Sequence, residues 1–272
     1  MRLASHDMVE ALLEELETES LDWHALESHP KPSRPLQNAT PLPRPSISVV
    51  IPAGEFSPQL FLVLQHLAYA RDELDRRTGK RVEIIVAPYG ACRGSAAAVE
   101  EFDARLLPDN GPGRRQSRAD ALNAAATEAR ANLLAFVKPE LMPERHCLCH
   151  IAQAFADKRT LGGGTNVLSS TKTVASKLLS VLDSLPLRLS GLRLGIVFVR
   201  KSAFRRIGGV RRTRGGGELL DLLLRLKKHA LLSKRRITNV KLICATQNGK
   251  ASRDVTVRQW ISLLLAALIL PS

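Results

Sequence analysis

The side chains best suited to chemistry lie in three short segments, each of which directly follows an apolar run. These segments are residues 52–57, 87–95 and 138–143. They contain two carboxylates, Glu55 and Glu140, and two cations, Arg93 and Lys138. Carboxylates can hold a divalent cation or accept a proton, whereas cationic side chains stabilise phosphoryl oxygens. The pattern therefore directs attention to chemistry on a phosphorylated ligand.

The elements that must position these segments alternate between strand and helix patterns. Continuous apolar runs predict strands at residues 47–51, 82–86, 133–137 and 195–199. Helical periods predict helices at residues 60–76, 96–102, 119–130, 145–156 and 219–229. This alternation is typical of βαβ units and of a largely parallel sheet that is buried on both faces. Ligands bind beyond the carboxyl ends of such strands, where the three segments lie.

Composition divides the 272-residue chain into three parts. Residues 1–28 hold eight acids against one base, a net charge of −7, and an apolar period at residues 7–19 predicts a short amphipathic helix. Residues 29–45 contain six prolines and form the predicted extended linker. Residues 46–272 form the predicted globular domain. Because the acidic arm is too short to hold a helix alone, we expect it to bind a protein partner.

Several segments resemble those of the family 2 glycosyltransferases. Residues 48–52 (Ser-Val-Val-Ile-Pro) resemble the opening strand of that family, and residues 83–86 (Glu-Ile-Ile-Val) its second strand. Residues 118–124 (Arg-Ala-Asp-Ala-Leu-Asn-Ala) are similar to its Lys-Ala-x-Ala-Leu-Asn-x-Gly helix start. Residues 133–137 resemble the strand that precedes the family's Asp-x-Asp metal motif. Residues 195–204, together with Gly208 and Gly209, resemble its acceptor-side strand and turn. The resemblance covers about residues 46–260 and implies a GT-A-type α/β fold with a mostly parallel sheet and helices on both faces.

The same resemblance implies roles for individual residues. It assigns nucleotide binding to Pro52, Glu55, Tyr89, Arg93, Arg118, Lys138 and Glu140. It places the catalytic base at or beside Glu218, with Asp221 as the other carboxylate of that helix.

Most of the family's acidic residues are nevertheless replaced. Pro88, Tyr89 and Arg93 stand in three acidic positions of the second loop, Lys138 stands in the first acidic position of the metal motif, and Leu219 stands in the base position. One carboxylate beside an ammonium is a poor site for Mg²⁺ or Mn²⁺. We therefore expect no resident cofactor.

Two interpretations follow from these replacements. In one, Lys138 and nearby arginines neutralise the diphosphate of a nucleotide sugar, and Glu218 or Asp221 serves as the base. In the other, the site is a relic and the domain is a non-catalytic interaction subunit of a larger assembly. The combined loss of acids favours a weakly active or inactive glycosyltransferase-like protein.

The charge of the chain also bears on its partners. The formal net charge is +14, and residues 188–258 alone sum to +16. Such a positive field favours the binding of nucleotide phosphates, RNA or an acidic membrane surface. An ordinary solvated basic surface would give the same sequence pattern. The candidate polyanion contacts are Arg211, Arg212, Arg214, Lys234, Arg235 and Arg236. Because only 4% of the residues are aromatic, such contacts would reach the nucleic-acid backbone and not the bases.

The remaining motifs have ordinary structural interpretations. His146, Cys149 and His150 share a helix face but lack a fourth metal ligand, so we interpret them as part of an amphipathic helix. The glycine triplets at 162–164 and 215–217 open no phosphate-loop pattern and predict flexible turns. Four cysteines without framework spacing indicate a reducing, intracellular compartment. The apolar residues 260–270 are too few to span a bilayer and predict a core helix or a peripheral membrane contact.

Overall fold

The computed structural model describes residues 44–54, 58–89, 95–108, 116–169, 193–213 and 217–246. These residues belong to a compact unit that extends from Pro43 to Ser272. The predicted arm at 1–28, most of the linker and the apolar segment 260–270 lie outside the described residues, as do Glu55, Arg93 and Arg214.

Strands and helices alternate along most of the described chain. The strands are β1 (Ile47–Ala53), β2 (Val82–Pro88), β3 (Arg105–Leu106), β4 (Leu133–Phe136), β5 (Leu141–Met142), β6 (Thr160–Ser169), β7 (Val197–Arg200), β8 (Arg236–Ile237) and β9 (Val240–Thr246). The helices are α1 (Pro58–Thr78), α2 (Ser95–Glu101), α3 (Arg118–Glu128), α4 (Cys147–Ala154), α5 (Lys201–Arg206) and α6 (Glu218–Leu232).

The first half of the domain forms a parallel sheet. β1 lies between β2 and β4 and is parallel to both, with Ile47 opposite Val82 on one side and Leu133 on the other. β3 continues the parallel arrangement beyond β2. The prediction that residues 47–51, 82–86 and 133–137 are adjacent parallel strands is confirmed. Most residues of these runs are apolar because both faces of the sheet are covered by helices, and the two polar exceptions, Ser48 and Glu83, are hydrogen-bonded to each other.

The second half adds antiparallel pairs to this sheet. The strand order is β3-β2-β1-β4-β7-β6-β9-β5, with β8 beside β6. β7 is antiparallel to both β4 and β6, whereas β8 and β9 are parallel to β6. The sheet is therefore mixed but mostly parallel, and the predicted α/β class is confirmed.

Alternate side chains of the strands pack into two core layers. Val50, Ile85 and Phe136 lie in the layer that contains the buried residues of α3 and α6. Val49 and Ile84 lie in the opposite layer, which contains the buried residues of α1 and α4. This alternation follows from the two-residue period of a strand, and it fixes helices on both faces of the sheet.

The prediction of a flexible turn at residues 162–164 is wrong. Gly162, Gly163 and Gly164 are buried within β6. A Cβ atom on Gly163 would lie 1.8 Å from the carbonyl oxygen of Thr238, and one on Gly164 would lie 1.9 Å from that of Arg193. These glycines are needed because neighbouring backbone passes too close for any side chain. In the other triplet, Gly217 precedes α6, and residues 215 and 216 lie outside the described part.

The His-Cys-Leu-Cys-His segment at 146–150 lies at the start of α4. Cys147 is buried, and His146 places its Nδ1 atom 3.6 Å from a carboxylate oxygen of Glu73. Among the residues that the structure describes, no group of three His, Cys, Asp or Glu side chains is arranged to hold a metal ion. The described helices also include none that is long and apolar enough to cross a membrane.

Candidate functional site

The carboxyl ends of β1, β2 and β4 meet at one edge of the sheet. Ala53 at the end of β1 lies opposite Pro88 at the end of β2. On the other side of β1, the amide of Val137 donates to the carbonyl of Val50 at 2.9 Å, so Lys138 follows immediately beyond this pair. The residues that follow these three strands, Gly54, Tyr89 and Lys138, therefore lie at the same edge of the sheet, as parallel strands require.

Pro52 lies within β1 and is buried, so it is part of the wall of the site and not of a loop. The carbonyl of Val50 points toward β4, and Pro52, two residues further on, has its backbone nitrogen on that same side. The last β1–β4 pair is formed by Val50, so no strand lies beside Pro52 there. Its missing N–H group therefore costs no ladder hydrogen bond.

Tyr89 covers the end of β1. Its amide donates to the carbonyl of Ala53 at 2.8 Å, and a Cβ atom on Gly54 would lie 3.0 Å from the Cζ atom of its ring. Burial raises the pKa of the Tyr89 phenol, and the charge of Glu140 raises it further, while Arg118 opposes this shift. The phenol is therefore neutral at physiological pH and can donate a hydrogen bond.

Arg118 and Glu218 face each other from the first residues of two helices. Arg118 is the first residue of α3, whose start is fixed by a capping box between Ser117 and Asp120. The Nη2 atom of Arg118 lies 3.6 Å from the Oε2 atom of Glu218, which is the first residue of α6. This separation makes an ion pair but is too long for a hydrogen bond.

Both members of this pair have unsatisfied polar atoms. Glu218 is only 7% exposed, and its Oε2 atom is buried without a hydrogen-bond partner in the part of the chain that the structure describes. The Nε and Nη2 atoms of Arg118 are also buried without a partner there. Buried polar groups are nearly always hydrogen-bonded in folded proteins, so three unsatisfied atoms at one position need an explanation.

The other candidate base, Asp221, has a different environment. The Oδ2 atom of Asp221 accepts hydrogen bonds from Nε and Nη2 of Arg225 at 2.8 and 2.7 Å. Arg225 also donates to the carbonyl of Gly209 at 2.7 Å, which ties α6 to the preceding turn. Asp221 therefore takes part in a structural ion pair, and Glu218 is the carboxylate that faces Arg118.

The segment before α6 is fastened to α3 by side chains. The amide group of Asn123 donates to the carbonyl of Val210 at 2.8 Å and accepts from its N–H group at 2.8 Å. Asp120 forms an ion pair with Arg212. A Cβ atom on Gly209 would lie 2.5 Å from Asn123 Oδ1, and this glycine has a φ of 66°. The retained Asn and Gly of the sequence pattern thus hold the segment at residues 209–212 against α3.

The described residues do not fit a divalent metal ion. Lys138 and Glu140 are both half-buried, and the charge of Glu140 acts on the phenol of Tyr89. Mg²⁺ and Mn²⁺ require several convergent oxygen ligands, whereas the described residues of this edge combine two carboxylates, those of Glu140 and Glu218, with the ammonium group of Lys138 and the guanidinium of Arg118. Leu219, in the position of the family's base, is 3% exposed and belongs to the core.

Sequence reasoning missed one polar group near this edge. The hydroxyl oxygen of Thr213 is buried, and no described residue forms a hydrogen bond with it. Thr213 follows Arg212, which is paired with Asp120 of α3. Nothing in the sequence Arg-Arg-Thr-Arg marks this threonine, because its burial depends on the docking of the segment onto α3.

The structure separates the predicted polyanion contacts into two groups. Arg211 and Arg212 precede the start of α6, whereas Lys234, Arg235 and Arg236 follow its end. A helix of 15 residues is about 22 Å long, so these groups do not form one cluster. Arg212 and Arg236 are also paired with acids, Asp120 and Asp157 respectively.

No family model and no curated protein sequence matches this chain. Solved structures do match it. Glucosyl-3-phosphoglycerate synthase from Mycobacterium tuberculosis, in complex with Mn²⁺, UDP-glucose and phosphoglyceric acid, is 18% identical with a TM-score of 0.58, over 84% of this chain and 81% of that one. The mannosyltransferase PcManGT from Pyrobaculum calidifontis, in complex with GDP-mannose and Mn²⁺, is 18% identical with a TM-score of 0.55, over 90% of this chain and 68% of that one.

Both matched proteins are GT-A-type glycosyltransferases. At this level of identity the likeness shows the fold alone. The chain therefore has the GT-A-type fold that its resemblance to family 2 glycosyltransferases implied.

Proposed function

We propose that this protein binds a nucleoside diphosphate sugar in its GT-A cleft through cationic side chains in place of a divalent cation. We further propose that it transfers the sugar slowly or not at all. The fold supports the ligand class, because the matched synthase and mannosyltransferase were solved with UDP-glucose and GDP-mannose. The replaced acids support the unusual mode of binding and the low rate.

The observation that carries this proposal is the state of Arg118. Two of its guanidinium nitrogens, Nε and Nη2, are buried at the carboxyl edge of the sheet without a hydrogen-bond partner among the described residues. A guanidinium group presents donors in a planar fork that matches two phosphate oxygens. Leaving such donors buried and unpaired destabilises the fold, and a bound diphosphate would remove that cost. The neutral phenol of Tyr89 supplies a further donor, and the ammonium of Lys138 adds positive charge.

The low rate follows from the lack of a well-placed base. Leu219 cannot accept a proton and is enclosed in the core. Glu218 is next to it in sequence, but its Oε2 atom is directed at Arg118. A general base must come within hydrogen-bond distance of the hydroxyl that it deprotonates. Glu218 would first have to leave Arg118, which disfavours catalysis.

The second candidate function is a non-catalytic subunit of a larger assembly. The replacement of the base by the buried Leu219 favours it, because that position can no longer serve the reaction. The two functions differ in one measurable property. A scaffold would show no affinity for any nucleotide sugar.

Calorimetric titration of the full chain tests the proposal. The ligands are UDP-, GDP-, ADP- and dTDP-sugars, each with Mn²⁺ and with a chelator. We expect at least one to bind with the chelator present, and the Arg118→Met variant to lose about tenfold or more of that affinity. Arg81→Met removes an exposed guanidinium far along the chain and serves as the matched control.

Folding of both variants is checked by their melting temperatures. We expect Arg118→Met to remain folded with a somewhat lower melting temperature, because it removes unsatisfied donors and keeps the apolar stem but leaves the buried Glu218 carboxylate without its cation. Binding that requires Mn²⁺ would contradict the cationic mode. Absence of binding in every condition would favour the scaffold.

A further inference from the structure

Two turns that are distant in sequence form one continuous surface at the end of α6. The amide of Arg236 donates to the carbonyl of Arg159 at 3.1 Å, and Nη1 of Arg235 donates to the carbonyl of Lys158 at 3.2 Å. Arg236 also forms an ion pair with Asp157. We call residues 157–159 and 231–236 together the basic–leucine patch.

The patch combines exposed apolar and cationic side chains. Leu231 and Leu232, the last two residues of α6, are 71% and 69% exposed. Of the large hydrophobic residues that the structure describes, only these two and Tyr69 are exposed. The cations of the patch are all exposed: Lys158, Arg159, Lys234, Arg235 and Arg236. Against these five cations stands one carboxylate, that of Asp157.

The position of the patch leaves the cleft free. β8 begins at Arg236 and pairs with Thr160 at the start of β6. β7, which is antiparallel to β6, ends at Arg200 opposite Leu133, the first residue of β4. The patch therefore lies at the amino edge of the parallel strands, and α6 separates it from Glu218 by about 22 Å. A partner bound at this patch would not cover the carboxyl edge.

We infer that the basic–leucine patch docks this protein on the surface of an anionic lipid bilayer. Leu231 and Leu232 enter the headgroup region, where apolar side chains leave water. The surrounding cations lie over the lipid phosphates, to which each exposed Lys or Arg is attracted. The inference is independent of the function of the cleft.

The leucines decide between an anionic bilayer and a nucleic acid. A nucleic acid would neutralise the same cations but would leave two aliphatic side chains in water, because its bases are recognised by stacking on aromatic groups or by hydrogen bonds. A bilayer is negatively charged at its surface and apolar beneath it, and so complements both parts of the patch. One backbone hydrogen bond, from Arg236 to Arg159, and one from the Arg235 side chain to the carbonyl of Lys158 join the two turns in the free protein.

Vesicle flotation of the full chain tests the inference. The vesicles contain phosphatidylcholine alone or phosphatidylcholine with phosphatidylserine. We expect binding only to the anionic vesicles, weakened about tenfold by the double variant Leu231→Ser and Leu232→Ser. The double variant Lys158→Glu and Arg159→Glu should weaken it at least as much, and more strongly at low salt.

Two controls match these variants. Tyr69→Ser removes an exposed apolar side chain of α1, and the pair Arg205→Glu and Arg206→Glu makes the same change in net charge on the exposed surface of α5. Both should bind vesicles like the native chain. All variants should retain the native melting temperature, because the substituted side chains are exposed.

Three outcomes would overturn the inference. The first is equal binding to neutral and anionic vesicles. The second is anionic binding that survives both patch variants, which would place the membrane contact elsewhere in the chain. The third is binding to a single-stranded RNA that depends on Lys158 and Arg159 but not on the leucines, with no vesicle binding, which would identify the patch as a nucleic-acid contact.

Discussion

Two glutamates are buried at helix positions in this domain, and their surroundings are opposite. Glu73 of α1 is 1% exposed and accepts hydrogen bonds from Arg76 and Arg77, with the guanidinium of Arg145 at 3.1 Å. Glu218 of α6 is 7% exposed, yet among the described residues its ion-pair partner Arg118 is 3.6 Å away and its Oε2 atom has no hydrogen-bond partner.

The difference separates a structural carboxylate from a candidate functional one. Arg76 and Arg77 lie three and four residues after Glu73, so they meet it on one helix face. Arg145 joins them from the segment before α4, and Glu73 thereby fastens α1 to that segment. Of the residues that the structure describes, only Arg118 pairs with Glu218. An unsatisfied buried carboxylate beside an unsatisfied guanidinium is suited to a ligand that the chain itself does not supply.

The largest effect should come from removing the structural carboxylate. Glu73→Gln removes the charge that Arg76, Arg77 and Arg145 share and weakens their contacts with this 1% exposed side chain, so we expect the melting temperature to fall by several degrees. Glu218→Gln should leave it unchanged or raise it, because that carboxylate is poorly satisfied. Glu101→Gln, an exposed change on α2, is the control. Equal losses for the two buried glutamates, measured by thermal unfolding, would remove the distinction.

The acid stability of the domain should depend on the same residue. Hydrogen bonds from Arg76 and then Arg77 lower the pKa of Glu73 from its ordinary value of 4.5 to about 2. A carboxyl whose pKa is lowered by folding stabilises the native state above pH 4.5, and this contribution is lost as the pH falls toward 2. The melting temperature of the native chain should therefore fall as the pH is lowered from 4.5 toward 2, and that of Glu73→Gln should fall less. An equal fall in both proteins would contradict the lowered pKa of Glu73.

A smaller effect is expected at the cleft. Glu218→Gln removes a negative charge that competes with a ligand for Arg118. We expect the affinity for a nucleoside diphosphate to rise roughly fivefold, the factor that about 1 kcal/mol of relieved repulsion gives. Asp221→Asn, one turn further along α6, should raise it less, because Asp221 is paired with Arg225. A loss of affinity in Glu218→Gln would instead mean that Glu218 itself contacts the ligand.

We expect Mn²⁺ to have the smallest effect on ligand binding at the cleft. Because Lys138 stands beside Glu140, we expect Mn²⁺ alone to bind the cleft no more tightly than about millimolar. Glu140→Gln should hardly change this value, and nucleotide affinity should be the same with and without the ion. A micromolar Mn²⁺ site that is lost in Glu140→Gln, measured by calorimetry, would restore a metal-dependent mode of binding.

The sequence by itself determined the parallel half of the domain. The strands at 47–51, 82–86 and 133–137 and the helices between them were predictable, because long apolar runs and helical periods are local properties. It also determined which residue types reach the carboxyl edge, since Tyr89, Arg118 and Lys138 follow predicted strands or begin a predicted helix. It did not indicate β6, because Gly162, Gly163 and Gly164 have low strand propensity.

Tertiary structure decided the rest. The glycines of β6 are explained by the backbone of residues 193, 198 and 238, which meets them only after folding. Glu218 and Asp221 are equivalent in sequence, both acids in the first turn of one helix, and only their partners distinguish them. Asp221 reaches Arg225 on its own helix, whereas Glu218 meets Arg118 across a separation of 100 residues. Local spacing fixes the first pairing, and only the packing of α6 against α3 creates the second.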